Sequence, residues 1–421
     1  MTVEGVPKIW TVLEPSKWPP APAWMSYSTL TELEECPRRW ALKSAEYSEV
    51  WEGRGYPRVP QSSVLVGQVV HSAIERVARA LSEAGCESLQ SESAVSALRQ
   101  LGGYSAIVSD CMEAVFSKYE GNPRATPVVE SLRQVLSTRV PELRSRVQRQ
   151  VSRIKLAGDG SGAEGAGAGR QAGQGMRRPL KDGSHAELEV QDPELGWRGF
   201  VDLLTVSDSL CEIRDFKTGA VKDEHKLQLK LYAMLWSRDR ELNPTGRAAQ
   251  SLVLSYDEQD LQLEPPSAAT LDALHEEIRE RTERALNDAT ETVPEARPGQ
   301  EQCQYCAVRH LCAEYWEWLR GEASGGELAA SQYGDVEIEL TSPHGPSSFD
   351  GRLLSGTGLQ SGRDILFRTS NLQISLRSGQ RLRVLNVQIS DDSPDDGSAP
   401  IVATMTGTSE VFVLPEIDDD Q

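Results

Sequence analysis

Residues Trp197 to Gly219 read WRGFVDLLTVSDSLCEIRDFKTG, and two short apolar runs in this stretch each carry a charge that a buried strand does not ordinarily accept. Asp202 interrupts FVDLL, while Asp215 and Lys217 interrupt EIRDFKTG. Both runs are rich in Val, Ile, Leu and Phe, and the polar Ser207-Asp208-Ser209 lies between them. They therefore predict a strand, a tight turn and a second strand. Side chains alternate across a strand, which places Asp215 and Lys217 on one face about 7 Å apart. If Asp202 faces the same way from the neighbouring strand, two carboxylates and one ammonium converge. Carboxylates buried together need a cation to neutralise them, and a divalent metal is the common solution. The plain alternative is a surface hairpin with an ordinary ion pair, because D-x-K triplets arise often by chance. The rest of the chain decides between the two.

At 421 residues there is room for two or three domains. No apolar run approaches the length of a membrane-spanning helix, and the first residues, MTVEGVPKIW, have neither a basic n-region nor an apolar h-region. A cytoplasmic protein without a membrane partner is expected. Seven cysteines, unevenly spaced, suit a metal site in a reducing compartment better than a disulfide framework. The net charge of -19 weighs against a polyanionic partner. Net charge does not fix local charge, however, and basic residues cluster at Arg38-Arg39, Arg139 to Lys155, Arg177-Arg178 and Lys217 to Lys230.

Residues 1 to 24 mix Pro and Trp without periodicity and read as a loosely structured arm. In SYSTLTELEECPRRWALK, Ser28 is the expected N-cap of a helix with Leu30, Leu33 and Trp40 on one face, broken near Cys36 by Pro37. Residues 63 to 84 show the apolar stripe of an amphipathic helix (Val66, Val70, Ala73, Ile74, Val77, Leu81), with His71 beside it. Further helices follow to residue 156, the last strongly basic, forming a helical insertion over about 85 to 156. From 157 to 177 a Gly/Ala-rich linker is expected to be disordered. Strands resume at HAELEVQ, run through the hairpin, and give way to a helix from Asp223 to Arg238 that puts Gln228 and Tyr232 on one face. SLVLSYDEQDLQLE reads as a strand pair and residues 267 to 288 as another helix. A strand-rich core flanked by helices is an α/β fold.

EQCQYCAVRHLCAEYW gives Cys303-x2-Cys306-x5-Cys312, three thiolates that want a soft metal and a fourth ligand from elsewhere. Zinc completed by His310 and an iron-sulfur cluster are both chemically reasonable. Cys86, Cys111 and Cys211 read as small core hydrophobes.

Gly199-x-x-Asp202 followed by Asp215-x-Lys217-Thr-Gly219 resembles the PD-(D/E)XK nuclease superfamily. Three further motifs stand in the matching order: Gly67-x-x-Val70-His71 and Gln228-x3-Tyr232 resemble RecB-type nucleases, and Cys36 in CPRRW with the late cysteine run resembles the four-cysteine RecB/AddB branch. That branch includes CRISPR-associated iron-sulfur exonucleases. The resemblance spans roughly residues 25 to 325. It implies a mixed sheet flanked by helices, Mg2+ or Mn2+ held by His71, Asp202, Asp215 and the Phe216 carbonyl, and catalysis by Lys217 with Gln228 and Tyr232 positioning it. Glu189 is a further candidate ligand. It also implies a [4Fe-4S] cluster on Cys36, Cys303, Cys306 and Cys312 with a structural role. The expected activity is metal-dependent DNA exonuclease action on single strands or ends in repair or recombination. The competing reading is a non-catalytic iron-sulfur DNA-binding or assembly subunit of a repair or CRISPR/defence complex. No G-x-x-x-x-G-K-[ST] motif is present, so a helicase-nuclease is not expected of this chain.

From Gly334 the character changes to short strands separated by Gly, Ser and Asp turns, which predicts a small barrel over 334 to 415 and an acidic tail at 416 to 421. SLRSGQRLRVLNVQIS and IVATMTGTSEVFVL resemble an OB-fold of the replication-protein type. Such barrels bind single strands through aromatic platforms and basic grooves, for which Arg363, Arg368, Arg377, Arg381, Arg383 and Phe367 are the expected residues. Docking of a protein partner, such as a helicase or a repair or CRISPR component, is the alternative.

Overall fold

The computed structural model describes residues 9–52, 55–156, 177–322, 332–369, 376–390 and 399–415. Residues 157–176 of the expected linker and the tail at 416–421 lie outside them.

A five-stranded mixed sheet carries the charged hairpin. Its order is β2-β3-β4-β5-β6, formed by Gly183–Asp192, Trp197–Ser207, Leu210–Phe216, Ser251–Ser255 and Asp260–Leu263. The β3–β4 hairpin turns at Asp208-Ser209, as the polar break dictates. Only the β4–β5 pair is parallel, and its crossover is α8 (Asp223–Arg238). One face of the sheet packs on α1 (Tyr27–Glu35), α2 (Pro37–Ser44), α8 and α9 (Ala268–Ala289), burying Leu30, Leu33, Trp40, Leu204, Ile213 and Leu235. Trp197, 1% exposed, anchors that layer by donating its indole N–H to Thr282 Oγ1 at 2.8 Å. The other face packs on α3 (Ser62–Glu83) and the insertion helices α4 (Glu92–Gln100), α5 (Gly103–Ser117), α6 (Thr126–Thr138) and α7 (Val140–Val151). Layers of helices on both faces of a mixed sheet give the expected α/β architecture. Cys86, Cys111 and Cys211 are buried in these cores.

One local expectation is corrected, and the break near Cys36 is resolved into two helices. Ser26, not Ser28, caps α1, its Oγ accepting from Thr29 N at 3.2 Å. Cys36 then acts as a hinge: extended backbone there ends α1 and starts α2, and Pro37 occupies the first turn of α2, where its missing N–H costs nothing.

The second sheet follows α10 (Gln300–Cys303), a short 3-10 turn at Arg309–Leu311, and α11 (Ala313–Glu322). Its strands are β7 (Gln332–Gly345), β8 (Ser348–Gly356), β9 (Asp364–Arg368), β10 (Arg381–Ser390), β11 (Ile401–Thr404) and β12 (Glu410–Val413). Pairings β7–β8, β8–β9, β9–β11, β11–β10 and β10–β7 close a ring of five strands, in which β9 and β11 run parallel. Val336, Ile338, Phe367, Leu382, Val384 and Ile401 fill it. The expected N-terminal arm joins this unit: β1 (Ile9–Thr11) pairs in parallel with β12, Trp10 opposite Phe412. Within the stretch read as a loosely structured arm, the strand at Ile9–Thr11 is not foreseen, because three residues have too little alternation to register. Among the described residues no helix is long and apolar enough to cross a membrane.

Candidate active site

The hairpin register sets the site. Glu187 lies opposite Asp202, between the pairs Ala186–Leu203 and Leu188–Val201, and its φ of 52° is rare for a residue with a Cβ. From α3, His71 reaches both carboxylates: its Nε2 stands 2.8 Å from Glu187 Oε1 and 3.3 Å from Asp202 Oδ1. Among the described residues, these three form the set whose ligand atoms all lie within 4.8 Å of one another. The second Asp202 oxygen accepts the Phe216 N–H at 2.6 Å, which fixes the carboxylate to the neighbouring strand.

Lys217 follows directly after β4. Its ammonium contacts Asp215 Oδ2 at 2.7 Å and donates to Gln228 Oε1 at 2.8 Å, and Gln228 in turn donates to the Tyr232 hydroxyl at 2.8 Å. The Gln228–Tyr232 face of α8 is therefore a two-step brace on one lysine. Glycines make the approach possible. A Cβ at Gly199 would stand 2.7 Å from the Tyr232 ring, and one at Gly67, a helical turn before His71, would press on Thr218 Oγ1 at 3.2 Å. The Lys217-Thr218 main chain is also held from the insertion: Arg146 donates to the Thr218 carbonyl at 3.0 Å, and the fully buried Gln150 donates to the Lys217 carbonyl at 3.4 Å. Asp257 ties the two together, at 2.6 Å from Arg146 and 2.8 Å from Gln150.

Electrostatics show what the cluster lacks. Asp202 is 7% exposed and Asp215 2%. Burial, and then the nearby Asp202 charge, push the Asp215 carboxyl up to about 7 against the pull of Lys217. The Asp202 charge, aided by hydrogen bonds to Asp202 and Glu187, raises the His71 pKa to about 11, so a proton on His71 offsets the carboxylates. A hard divalent cation fits the same donor set of one imidazole nitrogen and carboxylate oxygens, and would replace that proton. Asp215, turned onto Lys217, stands beside this set rather than within it. Of Phe216 the structure places the N–H, on Asp202. Glu187 occupies the position for which Glu189 was considered; Glu189 itself lies opposite Phe200.

The four cysteines come together from both ends of this domain. Cys36, Cys303, Cys306 and Cys312 line one cavity with Arg38, Arg39 and Tyr315. Main-chain N–H groups point at two of the sulfurs, Arg39 N to Cys36 Sγ at 3.4 Å and Gly299 N to Cys303 Sγ at 3.5 Å. Burial pushes the thiols of Cys306 and Cys312 up to about 11 and about 12, so they ionise only against a metal. His310 does not join them. Its Nε2 meets the Tyr56 hydroxyl at 2.8 Å and its ring stacks on Phe412 at 3.8 Å, which corrects the expectation that it completes a zinc site.

Most of the expected basic patches are consumed internally. Along and just beyond α7, Arg146, Arg149, Arg153 and Lys155 pair with Asp257, Glu258, Asp260 and Glu212. Arg38 pairs with Glu314, and Arg177 with Asp239. On the barrel, Phe367 is completely buried, while Arg381 and Arg383 pair with Glu337. Arg383 also donates to the His310 carbonyl at 2.7 Å, so it serves the junction with the first domain rather than a groove. Arg352, Arg368 and Arg377 remain exposed.

Comparison with known proteins bears on this arrangement. Residues 24–313 match the profile of a family described as the PD-(D/E)XK nuclease superfamily. No curated protein matches the chain. Among solved structures, one titled "Crystal structure of SSO0001" is similar at 17% identity, over 31% of this chain and 60% of that one, with a TM-score of 0.20.

Proposed function

The chain belongs to the PD-(D/E)XK nuclease superfamily, whose members use divalent metals and are typically nucleases, and from that premise we propose that it is a deoxyribonuclease dependent on Mg2+ or Mn2+, acting as an exonuclease on single strands or DNA ends. The observation that carries this reading is the position of Lys217, held by Asp215 and by the Gln228–Tyr232 brace beside the trio His71, Glu187 and Asp202. His71, Glu187 and Asp202 would hold the cation, with Asp215 alongside. A cation there supplies Lewis-acid polarisation of the scissile phosphate and a lowered pKa for bound water. Lys217 contributes a fixed positive charge where negative charge grows on the phosphate, or orients the attacking water. Asp215 and Gln228 keep its ammonium aimed, and Tyr232 keeps Gln228 in place.

For Cys36, Cys303, Cys306 and Cys312 we read a [4Fe-4S] site that staples the ends of the nuclease domain. The four cysteines, drawn from both ends of the domain, line one cavity, which supports a shared metal site there. The five-strand ring with its parallel β9–β11 pair supports an OB-type barrel. We read it as delivering an unwound strand, or a partner such as a helicase, in repair or recombination. The direct test is cleavage of end-labelled single-stranded and duplex DNA by the full chain with Mg2+ or Mn2+. A metal-dependent product ladder supports the reading, and intact substrate in every condition removes it.

A further inference from the structure

His225 lies three residues before Gln228 on α8, one helical turn closer to the start of that helix and on the face that braces Lys217. Its Nδ1 is 2.8 Å from the Tyr256 hydroxyl. Tyr256 directly follows Ser255, whose carbonyl receives the Lys217 N–H at 2.8 Å, so the end of β5 brings this phenol to the corner occupied by Lys217. The pair is not used by the chemistry described above.

The phenol is the hydrogen-bond partner that bears on the imidazole tautomer. Tyr256 is 5% exposed and burial raises its pKa, so it keeps its proton near neutral pH. The 2.8 Å contact is one in which the hydroxyl proton can be donated to His225 Nδ1, the arrangement taken for the proposal below. A neutral histidine that accepts at Nδ1 carries its hydrogen on Nε2. Partial burial and the Lys217 and Lys222 charges hold the ring neutral, opposed only by the exposed Glu224. Among the described residues Nε2 is neither enclosed nor paired. Lys226 on the next position is occupied by Asp223 at 2.7 Å, whereas Lys222 is exposed. An N–H donor at Nε2, with the exposed Lys222 three residues before His225 at the start of α8, is suited to an anionic oxygen.

We propose that His225 Nε2 donates to a phosphate oxygen of the nucleic-acid strand next to the scissile linkage, and that Tyr256 is the positioning residue that sets its tautomer. This rests on the nuclease reading and names the part of the substrate held at that corner. The phosphate is either an internal diester or a terminal monoester.

The test is equilibrium binding of a fluorescein-labelled single-stranded 12-mer to the full chain, by anisotropy, with Ca2+ as the divalent ion. Strands carry a 5′-phosphate or 5′-hydroxyl, and a series carries one neutral methylphosphonate at successive linkages. His225→Ala is expected to weaken binding about tenfold, the size of one charge-assisted hydrogen bond. His225→Gln, which keeps an N–H near the Nε2 position, should restore most of it, and Tyr256→Phe should fall between. The His225→Ala loss should vanish on the strand neutralised at one internal linkage, identifying a diester, or on the 5′-hydroxyl strand, identifying a terminal phosphate. Binding unchanged within twofold in His225→Ala, an equal loss on every modified strand, or no binding by the unsubstituted protein overturns the proposal. His225-dependent binding without any cleavage in Mg2+ or Mn2+ would instead remove the nuclease reading and leave this one standing.

Discussion

Arg309→Met should uncouple the barrel from the cysteine loop. Arg309 sits between Cys306 and Cys312, is 7% exposed, and makes a two-armed pair with Asp335 of β7, which is 4% exposed. The same guanidinium donates to Asn386 of β10 at 3.0 Å and to the Cys306 carbonyl at 3.1 Å. Removing one partner of a buried ion pair costs about 3–5 kcal/mol, because the other charge stays buried. Asp335 would retain the Tyr315 hydroxyl and the Asn386 N–H, each at 2.9 Å, so the lower end of that range, about 3 kcal/mol, is expected. Urea unfolding followed by tryptophan fluorescence measures it, since Trp316 lies in this junction. Asp335→Asn should lose a comparable amount. Arg309→Met combined with Asp335→Asn should recover most of the loss, because no unpaired charge then remains and the amide can still accept from the Asn386 N–H and donate to the Tyr315 hydroxyl. A loss below about 1 kcal/mol in Arg309→Met, with the barrel still docked, would refute the assignment of this pair as the latch.

Three further outcomes follow from the geometry. Glu187→Gln should weaken Mn2+ binding about tenfold by calorimetry, since it removes an anionic oxygen from the set with His71 and Asp202; unchanged affinity would place the cation elsewhere. Cys36→Ser should abolish the broad visible absorbance of anaerobically purified protein and speed proteolysis around Gly299 to Cys312, whereas a colourless parent protein of full stability would exclude the cluster. Arg146→Ala frees the Thr218 carbonyl and should lower kcat about tenfold with KM and metal affinity little changed. A matching rise in KM would instead make Arg146 a binding residue.

Where chemistry forces local sequence, the chain was legible. Charges inside FVDLL and EIRDF are costly to bury without partners and so mark a site, and both strands, their turn and the Gln228–Tyr232 helix stand where the pattern placed them. Features that depend on lateral register were not. Glu187 and Glu189 both alternate along β2, and only the offset of β2 against β3, together with a left-handed backbone at Glu187, brings Glu187 rather than Glu189 to Asp202. Charge runs misled for a similar reason: α7 reads as a surface for phosphates until the acidic β5–β6 turn is folded against it. The β1 strand was hidden because its partner, β12, lies some four hundred residues away in sequence. Ser26 and Ser28 are equally good caps by residue type, and the first turn of α1 chooses between them.

The central claim is that Lys217, braced by Asp215 and Gln228 beside a metal-ligating trio, performs phosphodiester hydrolysis. Its most direct test is anaerobic cleavage of end-labelled single-stranded DNA with Mg2+ or Mn2+, comparing the unsubstituted chain with Lys217→Ala, and with metal binding by both measured calorimetrically. The account predicts cleavage that falls about a hundredfold or more in Lys217→Ala while metal binding persists. Full activity in Lys217→Ala, or a folded, metal-binding parent chain that leaves every DNA substrate intact, would contradict it.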